Sequence, residues 1–221
     1  MIKSNIKDLS GSNDLTGQSG QSLTEFRAAA YKLLADCYQS PDEGTPDRFQ
    51  ELNLIIAELY QDVSGIEQEL TEDIEELKKD HAKLFLGPFS LLAPPYGSVY
   101  IENSDHLIGE TTINTEQWYA MEGMDVAIKE VPDHIRIELE FMYYLIYQEQ
   151  QLEANKKTEA SEAYRDKQHA FLNQHLGRWV SKFADRVRGN TQTNFYKNLA
   201  ELTDKFITKD KLYLLRESQS A

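Results

Sequence analysis

The chain has 221 residues, 40% hydrophobic and 27% charged, with six prolines and eleven glycines, which suits one large helical domain or two small ones and argues against long disorder outside the ends. Its formal net charge of -14 argues against nucleic acid or an anionic membrane surface as a partner. The charge is uneven: residues 1–155 hold 10 Lys+Arg and 29 Asp+Glu, whereas residues 156–221 hold 13 and 8.

Solubility accounts for such an excess. An acidic face for a basic partner segment is the functional alternative. The lone cysteine, Cys37, has no internal disulfide partner, which fits a reducing compartment. Residues 1–21 are rich in Ser, Gly, Asn and Gln and read as a flexible tail without the apolar region of a secretory signal. No apolar run approaches the roughly 20 residues that span a bilayer. A cytoplasmic protein without stable membrane insertion is expected.

Ser22 and Glu25 form a capping box that opens a first helix. Leu23, Phe26, Ala30, Leu33, Leu34 and Cys37 follow at helical spacing, with Cys37 on the apolar stripe. Pro46, after Thr45, suits the first turn of a second helix carrying Phe49, Leu52, Ile55, Ile56 and Leu59. Ile66, Leu70, Ile74, Leu77, His81, Leu84 and Phe85 mark a third, stopped at Gly87 and Pro88, with His81 expected as a buried, hydrogen-bonded side chain.

Residues 88–111 break the pattern. Pro94 and Pro95 cannot continue a helix, and an aromatic, apolar loop of this length is unusual in a helical chain. A short helix follows with Ile113, Gln117, Trp118 and Met121 facing inward. Residues 124–132 form a second connection. Asp133 is placed to cap a long helix through Ile135, Leu139, Met142, Leu145, Ile146 and Leu152. The next stretch runs from Ala163 to Val187, with Gly177 able to split it, and Phe195, Leu199, Leu202 and Phe206 mark a final helix. The expected fold is all-α, with seven to nine helices in two half-cores, 22–131 and 132–215, joined by a hinge and flanked by tails 1–21 and 216–221. Such a hinge invites exchange between monomer and homodimer, including a domain-swapped form.

Catalytic motifs are lacking. There is no Walker-type phosphate loop, no G-x-G-x-x-G and no nucleophile elbow. One cysteine cannot build a structural zinc site, and none of the five histidines follows a glutamate at the spacing of a di-iron bundle. His134 and Glu138, four apart, could form one metal arm, but an exposed helix-end pair is the simpler reading. No catalytic residue and no metal site are expected.

Two blocks carry a resemblance. Leu84-Phe85-Leu86-Gly87-Pro88 precedes Ala93-Pro94-Pro95-Tyr96-Gly97-Ser98-Val99-Tyr100. Pro132-Asp133-His134-Ile135 then runs into Glu138-Leu139-Glu140-Phe141-Met142. A weaker echo is His175-Leu176 with Trp179 and Phe183, then Phe195-Tyr196. Together these resemble the TorD/DmsD/NarJ family of redox-enzyme maturation chaperones, on its TorD/DmsD-like side, from about Leu23 to Phe206. The resemblance implies a helical, cytoplasmic, non-enzymatic protein. Its partner would be the catalytic subunit of a molybdopterin oxidoreductase, bound through its twin-arginine signal peptide, its apo-core or both. It implies no cofactor of its own, since the molybdenum cofactor belongs to the client; weak guanine-nucleotide binding is attributed to the family. Many members carry a basic residue in the helix after the loop, where this chain has Asn114-Thr115-Glu116-Gln117-Trp118-Tyr119.

A signal peptide offers basic residues and then an apolar stretch, so its receptor needs an apolar groove with acid at one end. The expected client-binding residues are Leu91, Leu92, Pro94, Pro95, Tyr96 and Tyr100, the acids Glu102, Asp105 and Asp133, and His134. Two other readings stand beside this one: a nucleotide-binding protein, and a helical scaffold in which residues 88–111 are a packed crossover and Asp133 a plain N-cap.

Overall fold

The computed structural model describes residues 2–3, 22–63, 72–87, 91–102, 109–126 and 131–220. Among them are nine α-helices: α1 (Leu23–Cys37), α2 (Thr45–Leu59), α3 (Ile74–His81), α4 (Gly97–Ile101), α5 (Glu110–Met121), α6 (Ile135–Ala154), α7 (Thr158–Gln174), α8 (Leu176–Asn190) and α9 (Asn194–Ser220). The all-α expectation holds. The one ladder is minimal, pairing β1 (Ile2–Lys3) antiparallel with β2 (Asp125–Val126).

The capping box at Ser22 and Glu25 forms as expected. At α2 the cap falls on Gly44 rather than Thr45. The third helix is shorter than its periodicity suggested: Asp73 caps it, and at Ala82 it passes into a π-helical turn ending at Leu86. The earlier part of that expected helix, 64–71, lies outside the described residues, as do 88–90, 103–108 and 127–130 of the two expected connections. The expected loop 88–111 contains α4 and the start of α5. The split near Gly177 falls at His175; a Cβ on Gly177 would sit 2.4 Å from the Leu172 carbonyl oxygen, so only glycine permits this α7–α8 corner. α9 runs through the expected C-terminal tail.

Side chains of both parts meet in one continuous core. α1 packs along α6, and edge-to-face pairs Tyr31–Phe206 and Phe49–Phe195 tie α1 and α2 to α9. Cys37 is buried in this core, as its place on the stripe implied, and burial pushes its thiol up to about 12. α5 is turned relative to expectation. Thr111, Thr112, Thr115 and Tyr119 face inward while Ile113, Gln117 and Met121 are exposed; Trp118 packs against Phe171 on the core side, as expected. Hydrogen bonds decide this face: Thr115 Oγ1 with His175 Nδ1 (3.0 Å), Thr112 to Asp133 (3.2 Å) and Tyr119 to the Pro132 carbonyl (2.9 Å).

Candidate functional site

The two sequence blocks interlock. A bridge joins Tyr96 to His134, with Ile135 N–H donating to the Pro95 carbonyl (2.8 Å) and Gly97 N–H to the Asp133 carbonyl (2.8 Å). Ala93 N–H donates to the Leu84 carbonyl at 3.0 Å, so the first block is also closed on itself. Asp133 does not cap α6. That position belongs to His134, whose Nδ1 accepts the Arg136 N–H (3.1 Å). Asp133 is fully buried and its carboxylate accepts the Ser98 N–H (2.6 Å) and the Thr112 hydroxyl (3.2 Å), fixing the starts of α4 and α5 together. It reaches across 35 residues because the bridge sets its side chain beneath the first turn of α4, where unpaired N–H groups collect.

Behind this junction lies Glu138, also fully buried, which corrects the expectation of an exposed His134–Glu138 pair. Its Oε2 accepts the Trp179 indole N–H at 3.2 Å, and its Oε1 has no partner. Burial, with Asp133 nearby adding to it, raises the carboxyl pKa well above its usual value and favours the protonated form. Tyr100 stacks on Trp179 at 5.6 Å. Gly97 allows the close approach: a Cβ there would lie 2.9 Å from Trp179 Nε1.

On the outer side of the junction is an open groove of about 420 Å³, lined by Tyr38, Gln39, Ser40, His81, Phe85, Leu86, Pro95, Tyr96, His134, Ile135 and Arg136. Leu86 is 65% exposed there, and the Tyr96 ring stands edge-on to His134 at 5.3 Å. Burial, with Arg136 adding, pushes His134 down to about 3; burial also lowers His81, which is hydrogen-bonded to the Tyr38 main chain. Both rings are therefore neutral near pH 7, and His134, its Nδ1 engaged as acceptor, carries its proton on Nε2. Among the described residues no carboxylate lines the groove, and Arg136 pairs with Glu140 at 3.1 Å.

Of the expected client-binding residues, Pro95, Tyr96 and His134 come together here. Leu91 is partly buried, Leu92 exposed and Pro94 buried. Tyr100 and Asp133 belong to the interior behind the junction. Glu102 accepts the Thr111 N–H (2.7 Å) and lines a separate polar cavity of about 480 Å³ with Glu110, Asn114, His175 and Arg178. Asp105 lies outside the described residues. Tyr38, His81 and Leu86 are lining residues that periodicity assigned to helix stripes or passed over. Leu86 stood in the first block, yet only the π-helical turn shows that it points away from buried Leu84 and Phe85.

Residues 45–185, which contain both blocks, match the nitrate reductase delta subunit family. The chain belongs to this family. The resemblance to TorD, DmsD and NarJ proteins is thereby sustained. Among curated members, the chain is similar to chaperone protein TorD of Vibrio parahaemolyticus, 35% identical over 144 residues covering 64% of this chain and 66% of the relative. It is also similar to Tat proofreading chaperone DmsD of Salmonella typhimurium, 27% identical over 134 residues, 60% of this chain and 59% of the relative. The matches thus span 59–66% of these relatives' length. A solved structure described as a redox enzyme maturation protein from Archaeoglobus fulgidus shares the fold, with a TM-score of 0.51 at 23% identity over 88% of this chain and 98% of that one. Among the described residues, no cluster of three or more His, Cys, Asp or Glu could hold a metal ion, and no helix is long and apolar enough to cross a membrane.

Proposed function

We propose that this nitrate reductase delta family member is a cytoplasmic, non-enzymatic chaperone for assembly of a molybdopterin-dependent oxidoreductase. It holds the twin-arginine leader of the catalytic subunit, its apo-core or both until the client's molybdenum cofactor is inserted. One observation carries the reading: the two blocks that define the resemblance, apart in sequence, form one junction whose open side is an apolar groove with exposed Leu86, Tyr96 and a neutral His134. Such a surface suits the apolar stretch of a leader rather than its arginines. Burying that stretch contributes roughly 25 cal/mol per Å² before ordering costs. The leader's basic end is drawn by the acidic surface of residues 1–155, a contribution to on-rate and orientation that salt screens.

Calorimetry with leaders of molybdoenzymes encoded beside this gene tests the proposal, together with capture of the apo-catalytic subunit. Binding is expected to weaken, without being abolished, as salt rises. If neither leader nor apo-subunit binds, the reading fails.

A further inference from the structure

The outward face of α8 carries Arg178, Lys182 and Arg186, one helical turn apart and all exposed. In a chain of net charge -14, such cations are expected to find carboxylates. Arg188, next along the helix, does so with Asp185 and Asp204. Among the described residues, the three stripe residues do not. Arg178 Nη1 donates to the Gln174 carbonyl (3.4 Å), Lys182 Nζ to the Tyr100 carbonyl (3.3 Å) and Arg186 Nε to the Leu92 carbonyl (2.7 Å). A carbonyl satisfies a donor but leaves the charge unneutralised. Lys182 has further N–H donors, and Arg186 retains both terminal nitrogens.

We propose that this stripe is a docking surface for an acidic segment of a partner protein, separate from the leader groove. The occupant follows from charge complementarity: three exposed cations in a row, none in ion-pair contact with a carboxylate among the described residues, match carboxylates spaced along an extended or helical segment, and guanidinium groups take carboxylates in bidentate fashion. The protein's overall negative charge does not forbid this, because at physiological salt only charges within about 8 Å act strongly. On the chaperone reading, on which this further step rests, the segment belongs to the mature part of the client. Leader and mature chain would then be held at two places. Lys182 and Arg186 also grip both ends of the 92–100 segment that supplies Pro95 and Tyr96 to the groove. An acidic occupant competes for those grips, so the two sites are coupled, and coupling of affinities is reciprocal.

Fluorescence anisotropy with a labelled hexaglutamate peptide tests the stripe without the client. Binding is expected that weakens steeply between about 50 and 300 mM NaCl and falls by about tenfold or more in the triple variant Arg178→Gln, Lys182→Gln, Arg186→Gln. Glutamine keeps a donor for each carbonyl, so the fold is retained, and an unchanged thermal melt verifies it. Arg186→Lys, which keeps the charge but loses the bidentate fork, is expected to bind between wild type and the triple variant. The proposal is overturned if the peptide does not bind, if the triple variant binds it equally well, or if phosphatidylglycerol vesicles capture the protein and the peptide does not. Leader binding measured on the same samples keeps the two readings apart: leader without hexaglutamate overturns the stripe alone.

Discussion

Two of the sets of buried carboxylates in this bundle are handled in opposite ways. Between α1, α6, α7 and α9, Arg27 donates to Asp210 from Nε (2.6 Å) and Nη2 (3.0 Å) and to Gln168 (2.9 Å). Tyr31 and Tyr60 also donate to Asp210, and Arg165 donates to Glu149 at 2.7 Å. Burial alone would lower the Arg27 pKa, but Asp210 overrides it and the guanidinium is held charged. Two cations answer two carboxylates. At the junction of the sequence blocks, Asp133 and Glu138 share a buried region without a cation. Asp133 is satisfied by an N–H and a hydroxyl, and Glu138 by a single indole N–H. The first set balances charge and locks four helices. The second holds its place through hydrogen bonding, with burial favouring the protonated form of Glu138, and beside it lies the groove.

The sharpest way to break the contrast is Arg27→Ala, which strands Asp210 as a buried charge. A loss of about 3–5 kcal/mol is expected in urea unfolding. A loss near zero would mean that the first set is no more balanced than the second. Asp133→Ala follows. As an N-cap it would be worth ~1 kcal/mol, but its loss removes the acceptor of the buried Ser98 N–H and breaks the bond to Thr112, so about 2–3 kcal/mol is expected. A loss of 1 kcal/mol or less, checked by the same unfolding curves, would return it to the simpler role.

Glu138 gives the contrast a pH signature. Its folded-state pKa is raised, so the native state keeps a proton that the unfolded chain releases. Wild-type stability should therefore decline as pH rises from about 4.5 toward the folded-state pKa, by up to ~1.4 kcal/mol per unit from this group. Glu138→Gln keeps an amide in place of the neutral carboxyl and removes the decline. Its stability relative to wild type should thus grow as pH rises above about 4.5 toward the folded-state pKa, and a constant difference would show that the Glu138 pKa is not raised in the fold. The smallest stability effect belongs to the groove. Tyr96→Ala should change unfolding by less than ~1 kcal/mol, within the range of substitutions outside packed cores, while weakening leader affinity about tenfold. Full leader affinity in that variant would remove Tyr96 from the binding surface.

Much of the fold could be read along the chain, because helix starts and stripes are local chemistry. Ser22 with Glu25, Pro46 near the start of α2 and the apolar spacing of α6 all act within a few turns. α5 was misread for the converse reason. Counting apolar residues put Ile113 and Met121 inside, whereas the burial of Thr112 and Thr115 depends on Asp133 and His175, partners 21 and 60 residues away. The site divides in the same manner. Pro95, Tyr96 and His134 were legible as motif residues, but Tyr100, Asp133 and Glu138, from the same blocks, turn into the interior.

By itself, then, the sequence determined the helical class, the family and the two blocks that matter, since periodicity, caps and motifs are properties of neighbouring residues. Only the tertiary structure decided which block residues are open to a partner and which are structural. That choice depends on the π-helical turn that exposes Leu86, on the Tyr96–His134 bridge that sets the side of each block facing Trp179, and on the burial that favours the neutral forms of Glu138 and His134. Each arises where segments far apart in the chain are brought into contact and water is excluded between them.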